Sequence, residues 1–241
     1  NPEELIPLIV PATDAVTAVL SAAGKTATDA PTPCAEYTLG DLVDHFAGTS
    51  AAMATLGEGG RLPSENPWGT DTSVANDDWP TVLTGNLERL GAGWSRPAAW
   101  EGDRDGGGAE MPAAMLGAIA LIEVIAHGWD IAVATGQEFT VPPAVAAGFR
   151  ACAEQTAEQG RQMGAFGPAP DPGSDDDLAV GLAAVSLLIG AIGVANVPSL
   201  IDMRGMRDRN GRELRVSKWQ PRTNWSYSMP HRRLGVLMKS G

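Results

Sequence analysis

The stretch MPAAMLGAIALIEVIAHGWDIAVATG, residues 111–136, has the clearest helical pattern in the chain. From Leu116 to Ile125 it is almost continuously apolar, and Glu123 is the only charged residue in that run. A run of this length is typical of a helix that is buried on most of its faces. Met111-Pro112 suits the start of such a helix and Gly136 suits the position just after its end. The sequence therefore predicts a central helix from about residue 111 to residue 136.

Helical patterns also flank this stretch on both sides. Apolar residues recur at helical spacing, which predicts further helices over residues 5–24, 38–56, 77–94 and 143–165. Thr38 and Asp41 resemble a capping box at the start of the second of these. The segments 57–76 and 95–109 are rich in Gly, Pro, Ser, Asn or Asp and are predicted to be loops. No segment predicts a β-strand, so we expect an all-α protein built on a four-helix bundle, with an additional C-terminal helix and an irregular basic tail.

Three side chains in two of these helices suggest a metal site. Glu123 and His127 are four residues apart and would project from one helix face, and His45 lies in the second predicted helix. Two imidazoles and a carboxylate would leave one coordination position open, as catalytic zinc sites do. We therefore predict a divalent metal, zinc first, with nickel or another divalent ion as alternatives. Taken alone, the Glu123–His127 pair is common without a metal, and a lone histidine is more often a hydrogen-bonded core residue.

Two aspartates are candidates for supporting this site. Asp130 lies one turn beyond His127, and Asp44 precedes His45. Each could accept a hydrogen bond from a metal-binding histidine and so fix the orientation of its ring. For both aspartates the simpler alternative is solvent exposure or capping, and for Asp44 we favour that alternative. The sequence does not identify a catalytic residue.

Composition and charge restrict the function. The chain has 241 residues, 44% of them hydrophobic, and a formal charge of −12. Residues 1–197 carry a net −19 and residues 198–241 a net +7, so nucleic-acid binding by the main domain is not expected. Two cysteines are too few for a disulfide framework, and the acidic first residues lack the positive region of a signal peptide. We expect a cytoplasmic location.

Residues 178–197 contain no charge over twenty residues. That length could span a bilayer, but a buried bundle helix is our prediction, with a membrane anchor as the alternative. Leu178, Leu182 and Val185 begin a seam of larger residues. Gly181 lies on the other side, where a second helix or a second subunit could approach closely, which leaves a homodimer open. We divide the chain into a metal-binding bundle, residues 1–177, and an apolar helix with a basic tail, residues 178–241.

Two segments resemble a known family. TPCAEYTLGDLVDHFAG, residues 32–48, and EVIAHGWDIAVATG, residues 123–136, are similar to two motifs of the mycothiol-dependent maleylpyruvate isomerase N-terminal family, which belongs to the DinB-like metal-binding superfamily. The resemblance covers about residues 5–175, including Phe166-Gly167-Pro168. Tyr37 stands where the family usually has Trp.

The resemblance implies a fold, ligands and an activity. It implies a DinB-like helical bundle in which His45, Glu123 and His127 bind a divalent metal. It also implies mycothiol as the thiol cosubstrate of an S-transferase or isomerase that acts on a small electrophile. The alternative is a metal-binding protein without catalysis, acting in sensing or storage.

Overall fold

Helices form most of the chain that the structure describes. The computed structural model describes residues 1–23, 26–34, 37–63, 65–69, 71–107, 110–162, 172 and 175–185. Within these residues the α-helices are α1 (Pro2–Ala23), α2 (Leu39–Gly57), α3 (Trp79–Trp94), α4 (Ala113–Ala134), α5 (Pro143–Gln162) and α6 (Asp177–Val185). The predicted helices are all present, with ends shifted by at most three residues where both ends are described.

The first four helices form a bundle around one core. Helix α2 packs against α3 and α4, and α1 also packs against both α3 and α4. Helix α4 is the most buried of them, since its side chains from Ala120 to Ala132 are all buried. The all-α prediction and the central position predicted for α4 are confirmed. The DinB-like expectation agrees with this arrangement.

The prediction that no strand occurs is wrong. Strand β1 (Asp103–Asp105) pairs antiparallel with β2 (Glu110–Pro112), and a short 3₁₀ helix, Pro97–Trp100, precedes them. Strands of three residues are too short to show an alternating pattern, and polar residues favoured the loop interpretation. The hairpin has a structural consequence, because its second strand leads directly into α4 and the backbone N–H of Ala113 donates to the carbonyl of Gly102.

Both predicted helix ends that bear on the site are confirmed. Thr38 accepts from the backbone N–H of Asp41, and the Asp41 carboxylate accepts from the backbone N–H of Thr38, so α2 begins with a capping box. At the end of α4, Gly136 has a φ of +70°, which favours glycine. The backbone N–H groups of Gly136 and Gln137 donate to the carbonyls of Val133 and Ala132, which closes α4.

Helices α5 and α6 extend the bundle. Helix α5 packs on α1 and α4, and α6 packs mainly on α5. Leu178, Leu182 and Val185 are buried, as the predicted seam requires. A Cβ on Gly181 would lie 2.5 Å from the Phe149 ring, so α6 approaches α5 closely there.

Several sequence predictions lie outside the described residues. They are the continuation of the apolar run to residue 197, the basic tail with His231, and the Phe166-Gly167-Pro168 stretch. Among the described helices, α1 and α4 are long and apolar enough to cross a membrane by length and composition alone. In α4 this property accompanies burial, because 83% of its most apolar window lies inside the protein.

Candidate metal centre

Helices α2 and α4 bring the three predicted ligands together. Each of His45, Glu123 and His127 offers one ligand atom, and these atoms all lie within 4.8 Å of one another. Glu123 and His127 are neighbours on α4 because they are one helical turn apart. His45 faces them from α2, and its ring meets the His127 ring edge to face with centroids 5.0 Å apart. The sequence spacing brings only Glu123 and His127 together. The contact between α2 and α4 adds His45 and completes the three-residue cluster.

Two atoms of this cluster are buried without a hydrogen-bond partner. Glu123 is 6% exposed and His127 is 1% exposed. Glu123 Oε2 and His127 Nε2 lie 3.2 Å apart, yet their orientation makes no hydrogen bond, and neither atom has another partner among the described residues. When His127 is protonated the two groups form an ion pair, but without a hydrogen bond each buried atom stays incompletely satisfied, which costs free energy.

A divalent cation would satisfy both atoms. Zinc binds imidazole nitrogen and carboxylate oxygen at about 2.0–2.2 Å, so two ligands of a tetrahedral ion lie about 3.3–3.6 Å apart. The 3.2 Å between Glu123 Oε2 and His127 Nε2 is close to that edge, and the ligand atoms of all three residues lie within 4.8 Å of one another. The donor set of two imidazoles and one carboxylate also suits zinc. The residues present therefore fit the predicted ion.

Asp130 contacts the far side of His127. Its Oδ2 lies 3.3 Å from His127 Nδ1, and the Asp130 side chain is buried. With Nδ1 directed at a carboxylate, Nε2 is the nitrogen directed at Glu123 and the cluster. The structure therefore gives Asp130 the position expected of a residue that orients a ligand.

Asp44 contacts a different part of the protein. Its Oδ1 accepts hydrogen bonds from the backbone N–H groups of Val74 and Ala75, at 2.5 and 2.8 Å. These described partners belong to the connection between α2 and α3. Its carboxylate thus holds a loop against α2, which corresponds to the capping alternative more closely than to the orientation of a metal ligand.

The two histidines differ in proton affinity. Burial, assisted by His127, lowers the pKa of His45 to about 4, although Glu123 opposes this. Burial also disfavours the charged form of His127, but the carboxylates of Asp130 and Glu123 outweigh it and raise the pKa of His127 to about 9. Burial raises the pKa of Asp130. For Glu123 burial acts upward, but the neighbouring histidines outweigh it and lower the pKa. In the metal-free protein at neutral pH, His45 is therefore neutral and His127 carries a proton.

Two aromatic side chains adjoin the cluster, and the sequence did not single them out as site residues. The Phe46 ring lies 5.3 Å from the His127 ring, and the Tyr37 ring lies 6.0 Å from the His45 ring, centroid to centroid. Phe46 is fully buried, whereas Tyr37 and His45 are partly exposed. The cluster is therefore closed on the Phe46 side and reaches solvent near Tyr37. Cys34 is buried and is not part of the three-residue cluster.

The comparisons with known proteins agree with the sequence motifs. The sequence pattern of the mycothiol maleylpyruvate isomerase N-terminal domain matches residues 9–132, which is more than half of the chain. The chain belongs to this family. The match contains α2 and α4 up to residue 132, and hence the three residues of the cluster and Asp130.

Similar proteins include two from Mycobacterium tuberculosis, strains CDC 1551 / Oshkosh and ATCC 25618 / H37Rv, both described as uncharacterized. Each is 28% identical over 135 residues, which covers 56% of this chain and 69% of the relative. Among solved structures, crystal structures of the mycothiol-dependent maleylpyruvate isomerase and of a mutant of it each show 19% identity and a TM-score of 0.48. Each match covers 66% of this chain and 72% of the other.

Proposed function

We propose that this family member is a divalent-metal enzyme, an S-transferase or isomerase that uses mycothiol and acts on a small electrophile. The observation that carries the proposal is the pair of buried atoms, Glu123 Oε2 and His127 Nε2, which face each other without a hydrogen bond. Zinc is the metal that the donor set favours. Membership of a family named for a mycothiol-dependent isomerase supports the thiol and the reaction class.

The three residues of the cluster would contribute different ligand groups to the ion. Glu123 contributes the negative charge, and His45 and His127 contribute neutral nitrogens. When bound, the ion lowers the pKa of a coordinated thiol, so that the thiolate is present at neutral pH. Asp130 keeps His127 Nδ1 engaged and Nε2 directed at the ion.

The surroundings of the cluster set the direction of approach. Phe46 closes the inner side and keeps water away from His127. Tyr37 and His45 form the side that reaches solvent, so a thiol and an electrophile would enter beside them. A thiol kept reduced also fits the cytoplasmic location that we propose.

The activity can be tested with an electrophile whose product is coloured. Zinc-loaded protein is mixed with mycothiol and a halodinitrobenzene, and the thioether is followed by absorbance as halide leaves. We expect conjugation above the uncatalysed rate, lost in Glu123→Ala. Tight binding of zinc without any conjugation of mycothiol, tested over several electrophiles, would contradict catalysis and favour the non-catalytic metal-binding alternative.

A further inference from the structure

The connection between α2 and α3 lies along α2 beside the metal cluster. We call residues 61–63, 65–69 and 71–76 the α2–α3 segment. A Cβ on Gly48 would lie 2.4 Å from the carbonyl oxygen of Gly69 and 2.8 Å from that of Trp68. Gly48 follows His45 by three residues, so the two are neighbours on the helix surface, about 5–6 Å apart. The segment backbone therefore passes within about one helical turn of His45, the partly exposed member of the cluster.

The α2–α3 segment is held on two sides. On α2, Asp44 Oδ1 accepts from the backbone N–H groups of both Val74 and Ala75. On the β-hairpin, the backbone N–H of Leu62 donates to the carbonyl of Asp105 at 3.1 Å. The hairpin and α2 thus fix the position of this segment without using a residue of the metal cluster.

We propose that the α2–α3 segment is the wall that contacts the organic part of the metal-bound thiol, and that Asp44 and Gly48 are its positioning residues. This inference rests on the proposed function. A thiol enters on the side of Tyr37 and His45, because Phe46 closes the other side. The organic part of a large thiol must then lie against the α2–α3 segment, which flanks His45. A small thiol has almost no organic part and needs only the ion for binding.

The experiment compares a large and a small thiol on the full-length protein loaded with Co²⁺. Thiolate-to-cobalt absorption gives the Kd of mycothiol and of mercaptoethanol for the wild type and for Asp44→Ala, Asp44→Asn and Gly48→Ala. Gly85→Ala is the matched control for Gly48→Ala, because a Cβ on Gly85 in α3 meets nothing within 4 Å.

If the α2–α3 segment contacts the organic part of the thiol, its loss should weaken the binding of mycothiol and not that of mercaptoethanol. Asp44→Ala and Gly48→Ala should raise the Kd of mycothiol about tenfold, the effect of losing one or two contacts, and leave the Kd of mercaptoethanol and of Co²⁺ near the wild-type values. Asp44→Asn should behave like the wild type, since its Oδ1 can still accept both backbone N–H groups. Gly85→Ala should show no change.

Two results would contradict the proposed contact between the α2–α3 segment and the thiol. One is an unchanged Kd of mycothiol in Asp44→Ala. The other is an equal loss for both thiols, which would mean that Asp44 supports the metal cluster in general. A wild-type protein that binds Co²⁺ but shows no thiolate absorption with either thiol contradicts the proposed function itself, and the wall with it.

Discussion

At the scale of single residues, His127 lies between two carboxylates. Its Nε2 is 3.2 Å from Glu123 and its Nδ1 is 3.3 Å from Asp130. Removing the Asp130 charge should weaken the hold on His127 and reduce metal affinity about 10–100-fold, the usual effect of such partners. Zinc competition titrations of Asp130→Asn would measure this. Asp44→Asn is the matched control and should bind zinc like the wild type, and equal affinities for all three proteins would contradict the role of Asp130.

The same contacts predict proton release on metal binding. His127, with a pKa of about 9, is protonated at pH 7 in the metal-free protein and must lose that proton to bind metal. His45, with a pKa of about 4, is already neutral. Zinc binding should therefore release about one proton at pH 7, and affinity should rise about tenfold per pH unit up to about pH 9. Calorimetry in buffers of different ionisation enthalpy counts the protons, and a count of zero or two would contradict this account.

The raised pKa of His127 also affects stability in the metal-free state. Because the folded pKa lies above the unfolded value of about 6.5, this group stabilises the fold fully below that pH. The contribution is lost as the pH rises through about 9. Metal-free Asp130→Asn should show a smaller loss of Tm between pH 7 and pH 9 than the metal-free wild type. If both metal-free proteins show the same dependence of Tm on pH, Asp130 is not the cause of the raised pKa of His127.

The sequence predicted part of this site. The spacing of Glu123 and His127 places both on one turn of any helix, so their proximity followed from local geometry. The contact with His45 depends on how α2 meets α4, and it was predicted through the family motifs. The direction of the Asp44 carboxylate depends on a connection with no periodic pattern, which is why its loop contact could not be read from the sequence.

At the scale of helices, α1 and α4 approach closely beside the site. A Cβ on Gly128 would lie 2.3 Å from Val16 Cγ2. Gly128→Ala should therefore overpack this contact and lower the free energy of unfolding by about 1–3 kcal/mol. Urea denaturation of Gly128→Ala and of the control Gly85→Ala tests this. The control should equal or exceed the wild type, because alanine favours a helix interior and meets no neighbour at residue 85.

Helices were predicted better than the segments between them. Helix α4 has a long apolar run and a terminal glycine, and α2 has the Thr38–Asp41 capping box, so local signals agreed with the fold. The hairpin of β1 and β2 gave no such signal, because each strand has three residues and its stability depends on the chain around it. The α2–α3 segment likewise has no periodic pattern, so the sequence did not predict its position.

At the scale of the whole molecule, the proposed division at residue 177 can be tested by truncation. Leu178, Leu182 and Val185 of α6 are buried, and Gly181 contacts Phe149 of α5. Deleting residues 178–241 should therefore expose the α5 surface, lower the Tm and promote aggregation, while deleting only residues 198–241 should not. Thermal denaturation and light scattering would compare the two proteins. A soluble 1–177 protein with the wild-type Tm would show that the apolar helix is an appendage.

Metal binding should stabilise the whole bundle, because its ligands come from two helices. An ion that binds only the folded state adds about 2.7 kcal/mol at a hundredfold excess over Kd. Chelation should therefore lower the Tm by several degrees, which scanning calorimetry would detect. An unchanged Tm after confirmed removal of the metal would contradict a site that joins α2 to α4.

The metal content of untagged protein tests directly whether His45, Glu123 and His127 bind an ion. We expect about one divalent ion per chain for the wild type. His45→Ala, Glu123→Ala and His127→Ala should each lose that ion. His231→Ala, which changes the one histidine outside the cluster, should keep the ion. Full occupancy in His127→Ala, measured by mass spectrometry of the metal, would contradict the assignment of the site.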